Sequence, residues 1–320
     1  MNLSKSAGIS GKGYLFVLMA AVLWAAAATG SKFLFSTGMS PFQLVQLRIT
    51  ISAGVFFLWL LIRKPCLMRI SRKDILYFVM LGAVGMATMQ SSYLFAISKI
   101  NVAAAILLQY LAPVLIVLYS VTVTRETLGL MTGIAVGGTT AGCYLVVGAY
   151  NLDLLHMNFQ GIVSGVVSAV AFAWYTVKSE YGMRRYHPWT VLFFAMVFAC
   201  LSWNIFHPPL EAFMHAYSPA AWMWILFIAL PGTLLPFGFY FKGIYLIRAT
   251  HASITATFEP IAAGIISYLF LNEVMKPLQV VGAVMVIAAI ILLQIAHRPE
   301  GNLLSGPKKH VYPIDASTEK

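Results

Sequence analysis

The chain has 320 residues, of which 60% are hydrophobic and only 10% are charged, with a formal net charge of +11. Soluble domains carry roughly 25% charged residues, so this composition excludes a disordered chain and argues against an ordinary soluble enzyme. The three cysteines, one in a basic loop and two inside apolar segments, are not a disulfide framework.

Ten apolar segments of about 18–23 residues follow one another along the chain. The hydrocarbon core of a bilayer is about 30 Å thick and is crossed by about 20 helical residues. Because lipid offers no hydrogen-bond partner to the backbone, each segment is predicted to be a transmembrane helix. The first apolar run is too long for a signal peptide and nine more follow it, so we interpret it as a retained helix. The predicted spans are 13–33, 41–62, 75–96, 102–123, 128–149, 160–178, 189–206, 220–241, 250–271 and 277–296.

The distribution of Lys and Arg predicts the orientation of these spans. With the N-terminus inside, 17 of the 21 positive residues fall in inside segments, as the positive-inside rule requires. We therefore expect a multi-pass protein of a bacterial-type inner (plasma) membrane with both termini in the cytoplasm. The net charge then reflects topology and contact with anionic lipid, and no nucleic-acid partner is expected.

The two halves of the chain repeat each other at an offset of 147 residues. Five spans per half is an odd number, so the second half is predicted to enter the membrane in the opposite orientation, as in many secondary transporters. The matched pairs are Pro41 with Pro188, Tyr93 with Tyr240, Pro113 with Pro260, and Glu126 with Glu273. The predicted organisation is a cytoplasmic N-terminus (1–12), a first repeat (13–149), an external loop (150–159), a second repeat (160–296) and a cytoplasmic polar tail (297–320).

The sequence around these matched residues resembles the EamA-type branch of the drug/metabolite transporter superfamily. The stretch from Gln109-Tyr-Leu-Ala-Pro113 to Thr124-Arg-Glu126 resembles its first-repeat signature, and Phe258-Glu-Pro260 to Leu271-Asn-Glu273 resembles the second. The resemblance implies an all-helical fold of two inverted five-helix repeats. It also implies transport, often export, of small metabolites such as amino acids, sugars or drugs, commonly with proton coupling or substrate exchange. Ala112 stands where the second repeat has Glu259, so the halves differ near the midplane.

Two prolines inside predicted helices mark candidate helix kinks. Pro113 and Pro260 lack an N–H, so the carbonyls of Gln109 and Ala256 lose their usual helical donors. Such irregular backbone is tolerated in a membrane where it is buried or lines a wet cavity. The kinks therefore either expose polar carbonyls to a substrate or only shape the packing.

Two ionisable residues lie well inside predicted spans. A charge in the membrane costs at least about 2.5–3.5 kcal/mol on insertion scales, and such residues often serve function. Glu259 is expected near the midplane, where it either binds a substrate amine or carries the coupling proton, or else fixes the kink as a neutral hydrogen-bonded acid. Arg48 either attracts an anionic group of the substrate or extends its side chain to the outer headgroups.

The remaining candidates are amide and aromatic residues within the spans, and the alternative for each aromatic residue is lipid contact or the interfacial belt. The candidate substrate-binding set is completed by Gln90, Tyr93, Gln109, Trp24, Trp174, Tyr175 and Tyr240. Pro231 and Pro236 are candidate kinks that would let span eight bend as a gate. Glu126 and Glu273 are expected to be structural signature residues at the membrane surface. Small residues at Gly129, Gly133 and Gly137 are expected to let span five pack closely, on span ten.

No nucleotide-binding loop, hydrolase motif, metal-ligand spacing or channel filter occurs in the sequence. We therefore expect a secondary transporter with a small-molecule substrate, no cofactor or metal, and a monomeric or homodimeric state. An exporter of small metabolites such as amino acids or related amphipathic compounds is the leading hypothesis. A multidrug efflux carrier is the alternative within transport, and a membrane-embedded enzyme or a channel is the alternative outside it.

Overall fold

The computed structural model describes residues 3–100, 102–125, 129–151, 158–271 and 275–296. Within these ranges the chain consists of helices joined by short turns, and no strand is present. The helices, in chain order, are α1 Leu3–Ser36, α2 Pro41–Arg63, α3 Ile75–Val79, α4 Ala87–Lys99, α5 Val102–Gln109, α6 Ala112–Thr122, α7 Leu130–Val146, α8 Phe159–Met183, α9 Pro188–Phe206, α10 Pro219–Ala229, α11 Leu235–Ala256, α12 Glu259–Leu271 and α13 Pro277–Ala296.

These helices follow the predicted spans closely. Among the described residues, eight helical stretches are long and apolar enough to cross a membrane, and α7 is a shorter apolar helix. One stretch, Pro219–Ala256, is 38 residues long because it joins span eight to the first part of span nine. The join is at Arg248, whose φ of 70° interrupts α11. The prediction of an all-helical membrane fold with two five-helix repeats is confirmed.

Several helices begin at a side-chain cap that is followed by proline. Ser40 and Ser218 cap α2 and α10, and each precedes a proline whose missing N–H costs nothing at the first helical position. His187 caps α9 by accepting a hydrogen bond from the backbone N–H of Trp189. Burial, reinforced by the positive charges of nearby lysines, lowers the pKa of His187 to about 4. The cap is therefore held in its neutral, accepting form.

At the predicted proline kinks, each helix is interrupted by a two-residue turn. Span four is divided into α5 and α6 by a turn at Tyr110 and Leu111, and span nine is divided at Thr257 and Phe258. Spans three and eight contain π-helical segments, Met80–Met86 and Leu230–Leu234, which is a distortion often found at functional sites. Pro231 lies in the second π-helical segment, and Pro236 lies at the start of α11.

The two repeats pack into each other rather than side by side. Helix α1 packs along α11 of the other repeat, and its counterpart α8 packs along α4. Helices α1 and α8 also approach the π-helical segments that precede α11 and α4, at glycines related by the 147-residue offset. A Cβ atom at Gly85 would lie 2.9 Å from the Trp174 side chain, and one at Gly232 would lie 2.6 Å from Ala27. The midplane region is therefore built jointly by both repeats.

Span five packs on span ten as expected, but through a different face. A Cβ atom at Gly142 would lie 2.6 Å from the Val286 side chain and 2.9 Å from the Gly282 carbonyl oxygen. By contrast, a Cβ atom at each glycine of the predicted stripe would meet no atom within 4 Å; these are Gly129, Gly133 and Gly137. Spacing alone identified a small-residue face, but the close approach occurs one residue further round the helix.

Candidate functional site

A cavity lies between the two repeats, in the half of the bundle where α1 and α4 end. The predicted topology places this half toward the outside. The lining residues come from both repeats and combine one arginine, one glutamate, two glutamines and several aromatic rings. They are Trp24, Ala27, Ala28, Ser31, Arg48, Met89, Gln90, Tyr93, Leu94, Gln109, Tyr110, Phe172, Gly232, Phe237 and Glu259.

Arg48 is held inside the protein rather than extended to the surface. Its side chain is 5% exposed, and its Nε donates a hydrogen bond of 2.9 Å to Oγ1 of Thr233. Thr233 belongs to the π-helical segment and donates in turn to the Ile228 carbonyl, five residues earlier, over 2.7 Å. The distorted helix therefore orients the threonine that orients Arg48. Of the two sequence hypotheses for Arg48, this geometry excludes the surface-directed one.

Glu259 lies at the start of α12 and is 5% exposed. The hydroxyl of Tyr110 lies 2.8 Å from its Oε2 and 2.7 Å from the carbonyl oxygen of Ala256. This carbonyl is the one that Pro260 deprives of its helical donor. Tyr110, which the sequence reasoning missed, thus supplies a hydrogen bond across the repeats.

Two residues that line the cavity carry buried polar atoms without a partner in the described part of the chain. Nε2 of Gln90 and the hydroxyl of Tyr93 are buried and have no hydrogen-bond partner among the described residues. The amide of Gln109 instead donates to Oγ of Ser168 over 3.0 Å. No described residue forms an ion pair with Arg48. Buried polar groups are normally paired, so unpaired ones beside a cavity suit a bound molecule.

Aromatic rings form an apolar side of the cavity. The ring of Trp24 lies 5.2 Å from that of Phe237 and 6.3 Å from that of Phe172, measured between centroids. Tyr240 lies behind Trp24, at 5.2 Å, and its hydroxyl is 3.2 Å from Oγ1 of Thr176. The structure therefore brings Trp24 to the cavity lining but keeps Tyr240 behind it.

Two more of the predicted aromatic residues lie outside the lining. Tyr175 is fully buried, with its ring 6.2 Å from Phe237, and its hydroxyl faces the sulfur of Met86 at 3.8 Å. The ring of Trp174 packs over Gly85. Sequence reasoning assigned all of these rings to one candidate cavity, and it could not see that helix rotation separates lining residues from supporting ones. Glu126 and Glu273 lie outside the described residues.

A charged cluster lies at the opposite end of the bundle, where α8 ends. Glu180 is 7% exposed; its Oε1 lies 3.2 Å from Nε of Arg248 and 3.5 Å from Nη2 of Arg184. Its Oε2 accepts a 2.8 Å hydrogen bond from the backbone N–H of Ala249. The carboxylate thus caps the helical segment that restarts after the interruption at Arg248. Sequence reasoning missed Glu180, because it lies just beyond the predicted end of span six.

This fold, a helical bundle of two interlocking repeats around a charged and aromatic cavity, is that of a membrane transporter. The EamA-like transporter family matches residues 11–148 and 159–295, and the chain belongs to this family. It is similar to proteins described as an uncharacterized inner membrane transporter, YicL, of Salmonella typhimurium and an uncharacterized transporter of Archaeoglobus fulgidus. The first is 28% identical, covering 91% of this chain and 98% of the relative, and the second is 27% identical, covering 86% and 94%.

A solved crystal structure shares the fold. Its TM-score is 0.71 at 20% sequence identity, and the match covers 89% of this chain and 97% of the other. The chain is therefore a multi-pass membrane transporter with the EamA fold.

Proposed function

We propose that this protein is a secondary active exporter of small metabolites that carry both an anionic and a cationic group, such as amino acids or related amphipathic compounds. The substrate binds in the cavity between the repeats, and alternating access carries it across the membrane. The observation that supports this most directly is the pairing of Arg48 and Glu259 in one cavity, each supplied by a different repeat.

The charges of the cavity favour a zwitterion. Arg48 offers a permanently positive guanidinium whose Nε is already engaged by Thr233, which leaves the rest of the planar fork for a carboxylate. Glu259 offers an acceptor for an ammonium group. Arg48, Tyr93 and Glu259 all line this one cavity, so one small molecule can contact all three.

The walls of the cavity favour a substrate with an apolar part. Trp24, Phe172 and Phe237 present ring surfaces, and aromatic contacts add about 0.5–1.5 kcal/mol beyond burial. The same walls suit a lipophilic cationic drug, which makes multidrug efflux the second candidate. Arg48 argues against that candidate, because a cationic drug would meet an uncompensated like charge in a site of low dielectric constant.

Alternating access is supported by the asymmetry of the bundle. The cavity lies toward one end, while the Glu180 cluster and the buried ring of Tyr240 lie toward the other. Repeats of opposite orientation can exchange conformations, so breaking the cluster and closing the cavity would present the site to the other side. Export is the direction implied by the family resemblance.

The test is counterflow in proteoliposomes. Vesicles loaded with unlabelled phenylalanine should accumulate labelled phenylalanine transiently, and phenylalaninamide, which lacks the carboxylate, should compete poorly. Uptake of tetraphenylphosphonium without amino acid counterflow would favour the multidrug candidate. Inside-out vesicles with an imposed proton gradient then report the direction.

A further inference from the structure

The side chain of Tyr110 lies where the interruptions of spans four and nine meet. It lies in the break between α5 and α6, and its hydroxyl contacts both sides of the break between α11 and α12. One contact is to the carbonyl of Ala256, the last residue of α11, and the other is to Glu259, the first residue of α12. A single hydroxyl therefore joins the broken helices of both repeats.

The hydroxyl has one proton for two oxygen neighbours. A tyrosine hydroxyl donates one hydrogen bond and accepts others. The Ala256 carbonyl can only accept, and Pro260 has no N–H with which to satisfy it. An unpaired carbonyl in the apolar part of a membrane costs several kcal/mol. Which neighbour receives the tyrosine proton therefore depends on whether Glu259 carries a proton of its own.

The two protonation states of Glu259 lead to two hydrogen-bond arrangements. When Glu259 is protonated, its O–H donates to the Tyr110 oxygen and Tyr110 donates to the Ala256 carbonyl, so both short contacts are satisfied. When Glu259 is ionised, the charge-assisted bond to the carboxylate is the stronger one. The Tyr110 hydroxyl then donates to the Glu259 carboxylate, and the Ala256 carbonyl loses its donor.

We propose that Tyr110 is a positioning residue that couples the protonation of Glu259 to the break in span nine. When Glu259 is protonated, Tyr110 of the first repeat donates a hydrogen bond to the Ala256 carbonyl at the end of α11. When Glu259 loses its proton, this hydrogen bond is lost. This inference rests on the proposed function in one respect only, which is that Glu259 lines the transport cavity. The hydrogen bond from Tyr110 to the Ala256 carbonyl would then connect the protonation of Glu259 to movement of α11.

Other groups also influence Glu259. Arg48 and Tyr93 face it across the cavity from α2 and α4, and Cys143 is near it on α7, with its Sγ 3.8 Å from the Thr257 carbonyl. Substitution of any of these would change the electrostatic environment of Glu259. The test therefore changes Tyr110 alone and leaves these three residues in place.

The experiment is infrared difference spectroscopy of the purified full chain in lipid, recorded between acidic and alkaline pH without substrate. The carboxylic-acid C=O band that disappears in Glu259→Gln belongs to Glu259. In Tyr110→Phe this band should remain but at a displaced frequency, and a pH-dependent tyrosine C–O signal should vanish. Tyr240→Phe is the matched control, because Tyr240 is equally buried and loses a hydroxyl contact to Thr176 only; its spectra should keep both features.

An unchanged Glu259 band in Tyr110→Phe would overturn the inference. If that variant does not fold, the wild-type spectrum decides. A tyrosine signal that titrates together with the Glu259 band supports the coupling, and a Glu259 band that titrates with no tyrosine change overturns it. Because no substrate is present, this outcome is independent of whether the counterflow assay supports the proposed function.

Discussion

Replacing Arg48 by glutamine should remove the preference of the protein for ligands with a carboxylate. A pair of unit charges about 4 Å apart is worth about 4 kcal/mol at the effective dielectric constant of partly buried sites. Desolvation of the carboxylate offsets part of this, so a net loss of about 2–3 kcal/mol remains, similar to a hydrogen bond to a charged group. At 1.4 kcal/mol per tenfold change, affinity falls about 30- to 150-fold.

The assay compares phenylalanine with phenylalaninamide by calorimetry on purified wild type and Arg48→Gln. The wild type should bind the amino acid more tightly than the amide, and the variant should bind both about equally. Folding should survive, because burying a charged side chain is itself costly and Thr233 keeps its bond to the Ile228 carbonyl. Arg63→Gln, at the exposed end of the same helix, is the matched control. The reasoning is refuted if Arg48→Gln weakens the acid and the amide equally, or changes neither.

Three further predictions concern stability and gating. Gly142→Ala should destabilise the protein by about 1–3 kcal/mol, because its methyl group would press on the backbone of α13. Thermal melting in detergent measures this loss of stability. Gly137→Ala is the control, because position 137 is open. Glu180→Gln should weaken the cluster at the end of α8, since it removes the ion pairs of Glu180 with Arg248 and Arg184, and should raise the rate at which alkylating reagents reach the cavity from that side. Acidification from pH 7 to pH 5 should cost about 2 kcal/mol at His187, whose folded pKa of about 4 lies below the ordinary value of 6.5.

The sign of the last effect follows from proton binding. The unfolded histidine binds protons between pH 6.5 and about 4 while the folded one does not, so stability is complete above pH 6.5 and falls as the pH drops. Asparagine also caps helices but does not titrate, so His187→Asn should lose this part of the acid sensitivity. Equal acid sensitivity in the wild type and His187→Asn would contradict this prediction. Equal melting of Gly142→Ala and Gly137→Ala, or unchanged labelling in Glu180→Gln, would contradict the other two predictions.

The transmembrane helices could be predicted from the sequence because length and hydropathy are local properties. A bilayer imposes the same requirement on every span, so apolar runs translate directly into helices. The repeat could also be detected from the sequence, because matching prolines and tyrosines at one offset does not require any information about packing. The predicted kinks at Pro113 and Pro260 followed from the missing N–H.

The cavity was only partly predictable, because it depends on helix rotation and on contacts between distant residues. Arg48, Glu259, Gln90 and Tyr93 stood out as polar residues in apolar spans, and they line the cavity. Tyr240 was grouped with them, but it lies behind the ring of Trp24.

Two further residues were missed because their roles depend on distant partners. The chemistry of Tyr110 does not distinguish it from other tyrosines in membrane spans. Its role appears only in the structure, where its hydroxyl contacts the carbonyl of Ala256, 146 residues away. Its position next to Gln109 and three residues before the repeated proline was the available signal. Glu180 likewise acquires its role from Arg248, 68 residues later.

The account depends most on a single site that is reached from each side in turn, and a cysteine at position 31 tests this most directly. Ser31 lines the cavity from α1 and can be replaced in a protein whose three native cysteines are removed. In sided vesicles, a membrane-impermeant maleimide should label Ser31→Cys from either face, and bound amino acid should slow labelling from both. Labelling from one face only, with the substrate present or absent, would contradict alternating access at this cavity.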